Sequence, residues 1–202
     1  MLKILSCGWF LLISVSLYSQ KSALPKLKTG SWTGNLQLAE NVMLPFKFVI
    51  SKSGNGYSYS VFNEQEEIIL TNPSFKKDTL TIEFPTFNSK LVLKPSKKKQ
   101  LTGYWQNLNK GVNYKIPCTI KEGYNHRFEN MKLYVSNTYL PSDFDGKWES
   151  TFEPNTEDAY KAVGLFKQNS TAISGTFLTE TGDYRFLDGT VVEDSLFLSC
   201  FD

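Results

Sequence analysis

Gly30-Ser31-Trp32 and Gly146-Lys147-Trp148 open two stretches of sequence that follow one pattern. Further along each stretch, Asp78-Thr79-Leu80 matches Asp194-Ser195-Leu196. Both matches have an offset of 116 residues (148 − 32 and 194 − 78), so no gap is needed between them. The chain therefore contains an internal repeat.

The second copy of the repeat, residues 146–200, is shorter than the first. After the equivalent of residue 84, the first copy continues into two more apolar runs, Leu91-Val92-Leu93 and Leu101-Thr102-Gly103-Tyr104-Trp105. A repeat unit that cannot bury its apolar face alone needs all its strands. We therefore expect the sequence to be a fragment with an incomplete second unit. We also expect an extension of roughly 20 to 30 residues to stabilise it.

Apolar residues recur mostly with a period of two, as in Leu80, Ile82 and Phe84. Such alternation is typical of antiparallel strands with one buried face. The best helix candidate, residues 156–162, is too short to carry weight. Glycine- and asparagine-containing clusters predict the hairpin turns: Ser53-Gly54-Asn55-Gly56, Asn88-Ser89, Asn109-Lys110-Gly111, Thr181-Gly182-Asp183 and Asp188-Gly189.

These patterns predict an all-β fold of two tandem antiparallel lipocalin-like meanders or barrels, the second one incomplete. A single closed sheet built from both copies is the alternative. We expect Trp32 and Trp148 to plug the cores of the two units rather than to contact a ligand. The predicted organisation is a signal peptide over 1–19, a linker over 20–29, a first repeat over 30–105, a structured connector over 106–144 with strands near 114–117 and 131–135, and a truncated second repeat over 146–202.

The amino terminus has the layout of a secretory signal peptide. Lys3 precedes an uncharged run from Cys7 to Tyr18, and small Ser19 lies just before Gln20. The run is too short for a comfortable membrane span, and Cys7 lies ahead of it rather than behind it, which does not favour a lipid anchor. We therefore expect a periplasmic or secreted chain without a membrane span.

The charge of the chain is nearly balanced, with 22 basic and 20 acidic residues. This balance argues against a nucleic-acid partner. The basic cluster of Lys94 and Lys97-Lys98-Lys99 lies beside Pro95 between two apolar runs. A solvated hairpin loop explains the cluster better than a phosphate-binding patch.

Cys118 and Cys200 are the cysteines that remain after signal removal. An oxidising compartment would allow them to form a disulfide, but the sequence does not decide whether they do. Cys200 occupies the repeat position of Phe84, which favours a small buried apolar residue over a reactive thiol.

No catalytic, cofactor-binding or metal-binding residue is predicted. His126, the only histidine of the sequence, lies in a polar turn and is expected at the surface. One histidine and two distant cysteines do not form a zinc-ligand set. Carboxylates cluster at Glu64, Glu66 and Glu67 and again near Glu180, but a catalytic pair cannot be chosen among them without geometry.

The order of motifs resembles the long amino-terminal region of a group of bacterial secreted proteins that carry a carboxy-terminal thioredoxin-fold domain of the TlpA or redoxin type. The most specific stretch is Gly175-Thr176-Phe177-Leu178-Thr179-Glu180-Thr181-Gly182-Asp183-Tyr184-Arg185. Other matching motifs are Gly30-Ser31-Trp32-Thr33-Gly34, Leu44-Pro45-Phe46-Lys47-Phe48, Asn63-Glu64-Gln65-Glu66-Glu67-Ile68, His126-Arg127-Phe128 and Gly146-Lys147-Trp148.

This resemblance implies a non-catalytic accessory domain of a periplasmic thiol-disulfide oxidoreductase. The redox cysteines of that family lie in the carboxy-terminal domain, so no catalytic role carries over to Cys118 or Cys200. The implied partners are a covalently attached thioredoxin-like domain and its client proteins, and the implied full-length activity is disulfide reduction. Two alternatives from other classes stay open: a secreted lipocalin-like module that binds a small ligand, and a surface interaction protein.

Overall fold

The computed structural model describes residues 26–40, 42–96, 99–128 and 142–201. Thirteen strands and one short 3₁₀ helix, Leu108–Lys110, account for the regular structure of these residues. The predicted signal peptide and the predicted strand near 131–135 lie outside them. The all-β fold class is confirmed.

The first eight strands form a closed antiparallel barrel in sequence order, because β8 pairs back onto β1. Their bounds are β1 Gly30–Ala39, β2 Val42–Ser53, β3 Gly56–Asn63, β4 Glu66–Lys76, β5 Thr79–Phe84, β6 Ser89–Ser96, β7 Gln100–Asn107 and β8 Lys115–Glu122. The sequence placed residues 115–122 in the connector between the repeats. In the structure these residues complete the barrel.

Five further strands form a second, curled sheet in the order β13-β12-β11-β10-β9. Their bounds are β9 Gly146–Phe152, β10 Tyr160–Asn169, β11 Ala172–Thr179, β12 Asp183–Val192 and β13 Ser195–Ser199. This half-barrel is the predicted incomplete second unit, so two tandem units, and not a single shared sheet, are observed.

The repeat holds at the level of backbone pairing. Strands β1–β5 and β9–β13 have the same order, and equivalent residue pairs differ by 116 on both strands. Examples are Trp32↔Phe48 and Trp148↔Gly164, Lys47↔Phe62 and Val163↔Leu178, and Phe75↔Leu80 and Val191↔Leu196. Gly30 and Gly146 both have positive φ, of 123° and 102°, a conformation that explains the glycine of each Gly-X-Trp motif.

One bulge differs between the units. In β4 the register shifts between Thr71 and Ser74, where Asn72 has a φ of 50°. In β12 the extra residue is Phe186, with a φ of 57°, which comes earlier in the repeat than Asn72 does in β4. As a result Phe186, the equivalent of buried Leu70, turns outward, and Leu187 takes the inward position.

The predicted hairpin turn at Asp188-Gly189 is wrong, since both residues lie inside β12. A Cβ atom on Gly189 would come within 1.7 Å of the carbonyl oxygen of Phe197 on the neighbouring strand. Glycine is required there by a close backbone approach and not by a turn. The weak helix candidate at 156–162 is also not helical, because residues 153–158 form turns and bends and β10 begins at Tyr160.

Side chains fill the interior of the closed barrel. The buried members of this core are Trp32, Leu36, Phe46, Phe48, Ile50, Tyr59, Val61, Leu70, Leu80, Ile82, Phe84, Leu91, Leu93, Leu101, Cys118 and Ile120. The second unit has a much smaller buried core of Phe166, Ile173 and Val191. The difference follows from strand number, since five strands cannot surround the face that eight strands enclose.

Candidate functional site

Polar residues that are distant in sequence meet where the barrel contacts the second unit. We call this group the junction cluster and define it as Asn63, Tyr124, Arg127, Asp188, Ser199 and Phe201. Asn63 and Ser199 are the last residues of β3 and β13, and Asp188 lies in β12 just after its bulge. Tyr124 and Arg127 lie in the segment that follows β8. The ends of two strands and one connecting segment thus position the cluster.

Arg127 lies at the centre of the junction cluster and is 1% exposed. Its Nη1 donates to the carbonyl oxygen of Ser199 at 2.5 Å and to Ser199 Oγ at 2.9 Å. Its Nη2 donates to the carbonyl oxygen of Phe62 and to Asn63 Oδ1, the latter at 3.1 Å. One guanidinium therefore bonds to the end of a barrel strand and to the end of a strand of the second unit. The planar fork of arginine suits such multiple bonding.

Asp188 supplies the negative charge nearest to Arg127. The Nε atom of Arg127 lies 3.6 Å from Asp188 Oδ2, which makes an ion pair without a hydrogen bond. Tyr124 donates from its hydroxyl to the same oxygen at 3.4 Å. Burial raises the pKa of Asp188 although Arg127 opposes the change, and burial lowers the pKa of Arg127 although Asp188 opposes that. Desolvation is thus the larger influence on both partners.

Phe201 connects the second unit to the mouth of the barrel. Its ring lies 5.3 Å from that of Phe46 in an edge arrangement and 5.4 Å from that of Phe84. The Arg127 guanidinium carbon lies 5.9 Å from the centre of the Phe201 ring. An apolar side chain of the second unit therefore covers the end of the barrel core, beneath the buried charge.

The acidic cluster that the sequence singled out lies at the same junction and has structural partners. Glu64 Oε1 accepts from Ser174 Oγ of the second unit at 3.0 Å. Glu66 accepts from Asn63 at 3.2 Å, and Glu67 accepts from Ser60 at 2.6 Å. Each of the three carboxylates therefore has a hydrogen-bond partner within the protein. No group of three or more potential metal ligands occurs within the described ranges.

The basic cluster has the predicted position. Lys94 begins the exposed end of β6, and the turn between β6 and β7 carries Lys99, which pairs with Glu122 at 3.2 Å. Lys97 and Lys98 lie outside the described residues. The described part of the basic cluster therefore lies at the β6–β7 hairpin and includes a local ion pair.

Cys118 and Cys200 lie in different surroundings. Cys118 faces the barrel core, 2% exposed, and burial raises the pKa of its thiol to about 12. Such a thiol is a poor nucleophile at neutral pH because the reactive form is the thiolate. Cys200 is half-buried beside the junction. The disulfide that the sequence left open is not formed.

His126 is half-buried next to Arg127 rather than at an exposed position, and its buried Nε2 atom has no hydrogen-bond partner. Sequence reasoning did not identify Arg127, Asn63 or Ser199 as partners. Arg127 is one of two arginines in the chain and lies in the motif His126-Arg127-Phe128. Nothing in that motif shows that the arginine is buried, because its partners lie 64 to 72 residues away.

The junction cluster is suited to fixing the two units against each other. Arg127 stays protonated and offers donors only. Among the residues that the structure describes, no helix is long and apolar enough to cross a membrane. No family model, curated protein or solved structure matches this chain. The fold and the cluster define a β protein of two repeat units, one closed and one open, joined through a buried arginine.

Proposed function

We propose that this chain is a non-catalytic accessory module of a periplasmic TlpA-like thiol-disulfide oxidoreductase. The proposal of a non-catalytic role rests on one observation. The filled barrel contacts the second unit through Arg127, Asn63 and Ser199. A platform held by buried hydrogen bonds suits a module that positions an attached domain or docks its clients. The redox context rests on the resemblance of residues 175–185.

The placement of the thiols supports a role without redox turnover. Cys118 is buried in an apolar core with a raised pKa, and a redox cysteine requires a lowered one. The purified chain should therefore leave the reduction of insulin by dithiothreitol at its uncatalysed rate. Clear turnover that disappears in Cys118→Ser or Cys200→Ser would overturn the proposal.

The attachment to a redox domain has a separate test. Sequencing the gene past the codon for Asp202 should reveal a Cys-X-X-Cys motif within a thioredoxin-like pattern. A stop codon soon after one more pair of strands would contradict the accessory role and would favour a free-standing module.

A lipocalin-like ligand pocket is the other candidate, and a β-barrel as such is compatible with it. The interior of this barrel does not favour it, because Phe48, Ile50, Val61, Ile82 and Leu93 are fully buried there. Phe201 also packs against Phe46 and Phe84 at one end.

A further inference from the structure

The second unit presents an apolar face whose equivalent in the first unit is buried. Trp32 is 2% exposed, while its repeat equivalent Trp148 is 40% exposed. Val61 is fully buried, while its equivalent Phe177 is half-buried. We define the aromatic face as Trp148, Phe152, Tyr160, Phe177 and Tyr184. Their equivalents, Trp32, Leu36, Leu44, Val61 and Ile68, all belong to or pack against the barrel core.

Four members of the aromatic face are ordered against one another. The ring of Phe152 stacks on Tyr160 at 5.0 Å, contacts Phe177 edge-on at 4.9 Å and lies 5.7 Å from Tyr184. The hydroxyls of Tyr160 and Tyr184 are 3.2 Å apart. Rings that are already packed together lose little side-chain freedom when a partner covers them, which favours binding.

Among the residues that the structure describes, no further strand pairs with either edge of this face. Within residues 142–201, β9 pairs with β10 alone and β13 pairs with β12 alone. In the first unit the corresponding edges are closed, because β1 pairs with β8 and β5 pairs with β6. Unpaired strand edges beside an apolar face accept additional strands.

The first unit shows what kind of segment closes such a face. Strands β6, β7 and β8 form an antiparallel meander between the edges of β5 and β1. They direct aliphatic side chains into the core, chiefly Leu91, Leu93, Leu101 and Ile120. A second copy of this chain would have to open its own barrel to supply that meander, because its β6–β8 are already paired there.

We propose that the aromatic face and the free edges of β9 and β13 bind a three-stranded β-meander of the β6–β8 type, supplied by a segment outside residues 26–201. Its alternate aliphatic side chains contact the aromatic face, and its outer strands pair with β9 and β13. The inference goes beyond the accessory role and holds whether or not a redox domain is attached.

The repeat offset allows a direct test. Phe201 is the equivalent of Pro85, so a copy of residues 86–123 appended after Phe201 continues the second unit in sequence as β6–β8 continue the first. The extended chain should lose most of the acrylamide quenching of Trp148, measured as the difference from a matched Trp148→Phe variant. Its thermal midpoint should rise by roughly 10 °C, since each half-exposed aromatic that is buried adds a few degrees in a chain of this size.

The matched control is the same extension with Leu91→Ser, Leu93→Ser, Leu101→Ser and Ile120→Ser in the appended copy. It should leave Trp148 accessible, because it keeps the backbone and removes the aliphatic side chains. Equal protection of Trp148 by both extensions, or by neither, would overturn the proposal. Sedimentation of the unextended chain supplies a further check, since a dimer that protects Trp148 would make a second copy the occupant. None of these results depends on the insulin or gene tests.

Discussion

The side chain of Asn63 pairs with the backbone of Phe201, 138 residues away. Asn63 Oδ1 accepts from the Phe201 amide at 2.8 Å, and Asn63 Nδ2 donates to the Phe201 carbonyl oxygen at 2.7 Å. Two residues that pair in an antiparallel ladder exchange the same two hydrogen bonds. The same amide also accepts from Arg127 and donates to Glu66. A single side chain thus extends β-type pairing from the barrel to the second unit.

Asn63→Ala should reduce the free energy of unfolding by about 2 to 4 kcal/mol. Each lost hydrogen bond contributes roughly 1 kcal/mol, and buried groups of Phe201 and Arg127 lose a partner. Urea unfolding followed by circular dichroism measures the change. Asn169→Ala, at the exposed end of β10, should stay within about 0.5 kcal/mol of the parent. Similar effects of the two substitutions would contradict a structural role for the Asn63–Phe201 pairing.

Arg127→Met should cost about 3 to 5 kcal/mol, the range observed when one partner of a buried charged network is removed. The carbonyl oxygens of Phe62 and Ser199 would lose their donor, and Asp188 would lose its nearest cation. Because Arg127 connects the units, we also expect calorimetry to resolve two unfolding transitions in the variant.

Arg185→Met is the matched control, since Arg185 is the other arginine of the chain and lies exposed on β12. It should change the unfolding free energy by less than about 0.5 kcal/mol. A single cooperative transition in Arg127→Met, with stability close to that of the control, would mean that the units are coupled through other contacts.

The repeat and its backbone register could be predicted from sequence because they depend on local features. Period-two alternation defines strands, and the glycine of each Gly-X-Trp motif permits the positive φ observed at Gly30 and Gly146. The same reasoning expected Trp148 to be as buried as Trp32. It is not, because burial of that position depends on strands that cover it from the far side of the barrel, as β6–β8 do in the first unit.

The junction cluster could not be predicted, because its contacts join residues without any periodic relation. Arg127 and Ser199 are 72 residues apart, and neither residue type signals burial in a sequence. The role of Gly189 was misread for a related reason. Glycine next to Asp is a common turn signal, and only the position of Phe197 on the neighbouring strand reveals that the space for a Cβ atom is missing.

Tyr59→Phe should stabilise the protein by about 1 kcal/mol at neutral pH. The Tyr59 hydroxyl is buried in the barrel without a hydrogen-bond partner, and such a group costs roughly 1 to 3 kcal/mol. The ring is retained, so its stacking on Phe48 at 5.9 Å is kept. Tyr57→Phe is the control and should destabilise the protein, because the Tyr57 hydroxyl accepts a hydrogen bond from the Leu27 amide at 3.1 Å. Destabilisation by both substitutions would show that the Tyr59 hydroxyl has a favourable partner.

The protein should lose stability between about pH 9 and pH 12. Burial raises the pKa of Tyr59 to about 12 from 10.0 and that of Cys118 to about 12 from 9.0. In the unfolded chain both groups ionise at their ordinary pKa values. The free energy of unfolding therefore keeps its full value below those pKa values and falls as the pH rises towards 12, because in that range the groups ionise in the unfolded chain and stay protonated in the folded one. Urea midpoints measured across this range should fall less steeply in a Tyr59→Phe, Cys118→Ala double variant. Parallel curves for variant and parent would contradict the raised pKa values.

Trp32→Ala should destabilise the protein by about 3 to 5 kcal/mol, the usual cost of removing a large buried aromatic side chain, and Trp148→Ala should cost about 1 kcal/mol. The two indoles share the backbone hydrogen-bond partner that the repeat fixes. Trp32 Nε1 donates to the Lys28 carbonyl oxygen at 3.1 Å, and Trp148 Nε1 donates to the carbonyl oxygen of Phe144, its repeat-equivalent partner, at 2.9 Å. The difference between the two costs therefore reports the closing of the barrel over the indole, less the contact of Trp148 with the Phe144 ring at 5.2 Å, which has no counterpart at Lys28. Chemical denaturation of both variants measures it, and equal costs would mean that the second unit is as closed around Trp148 in solution as the first is around Trp32.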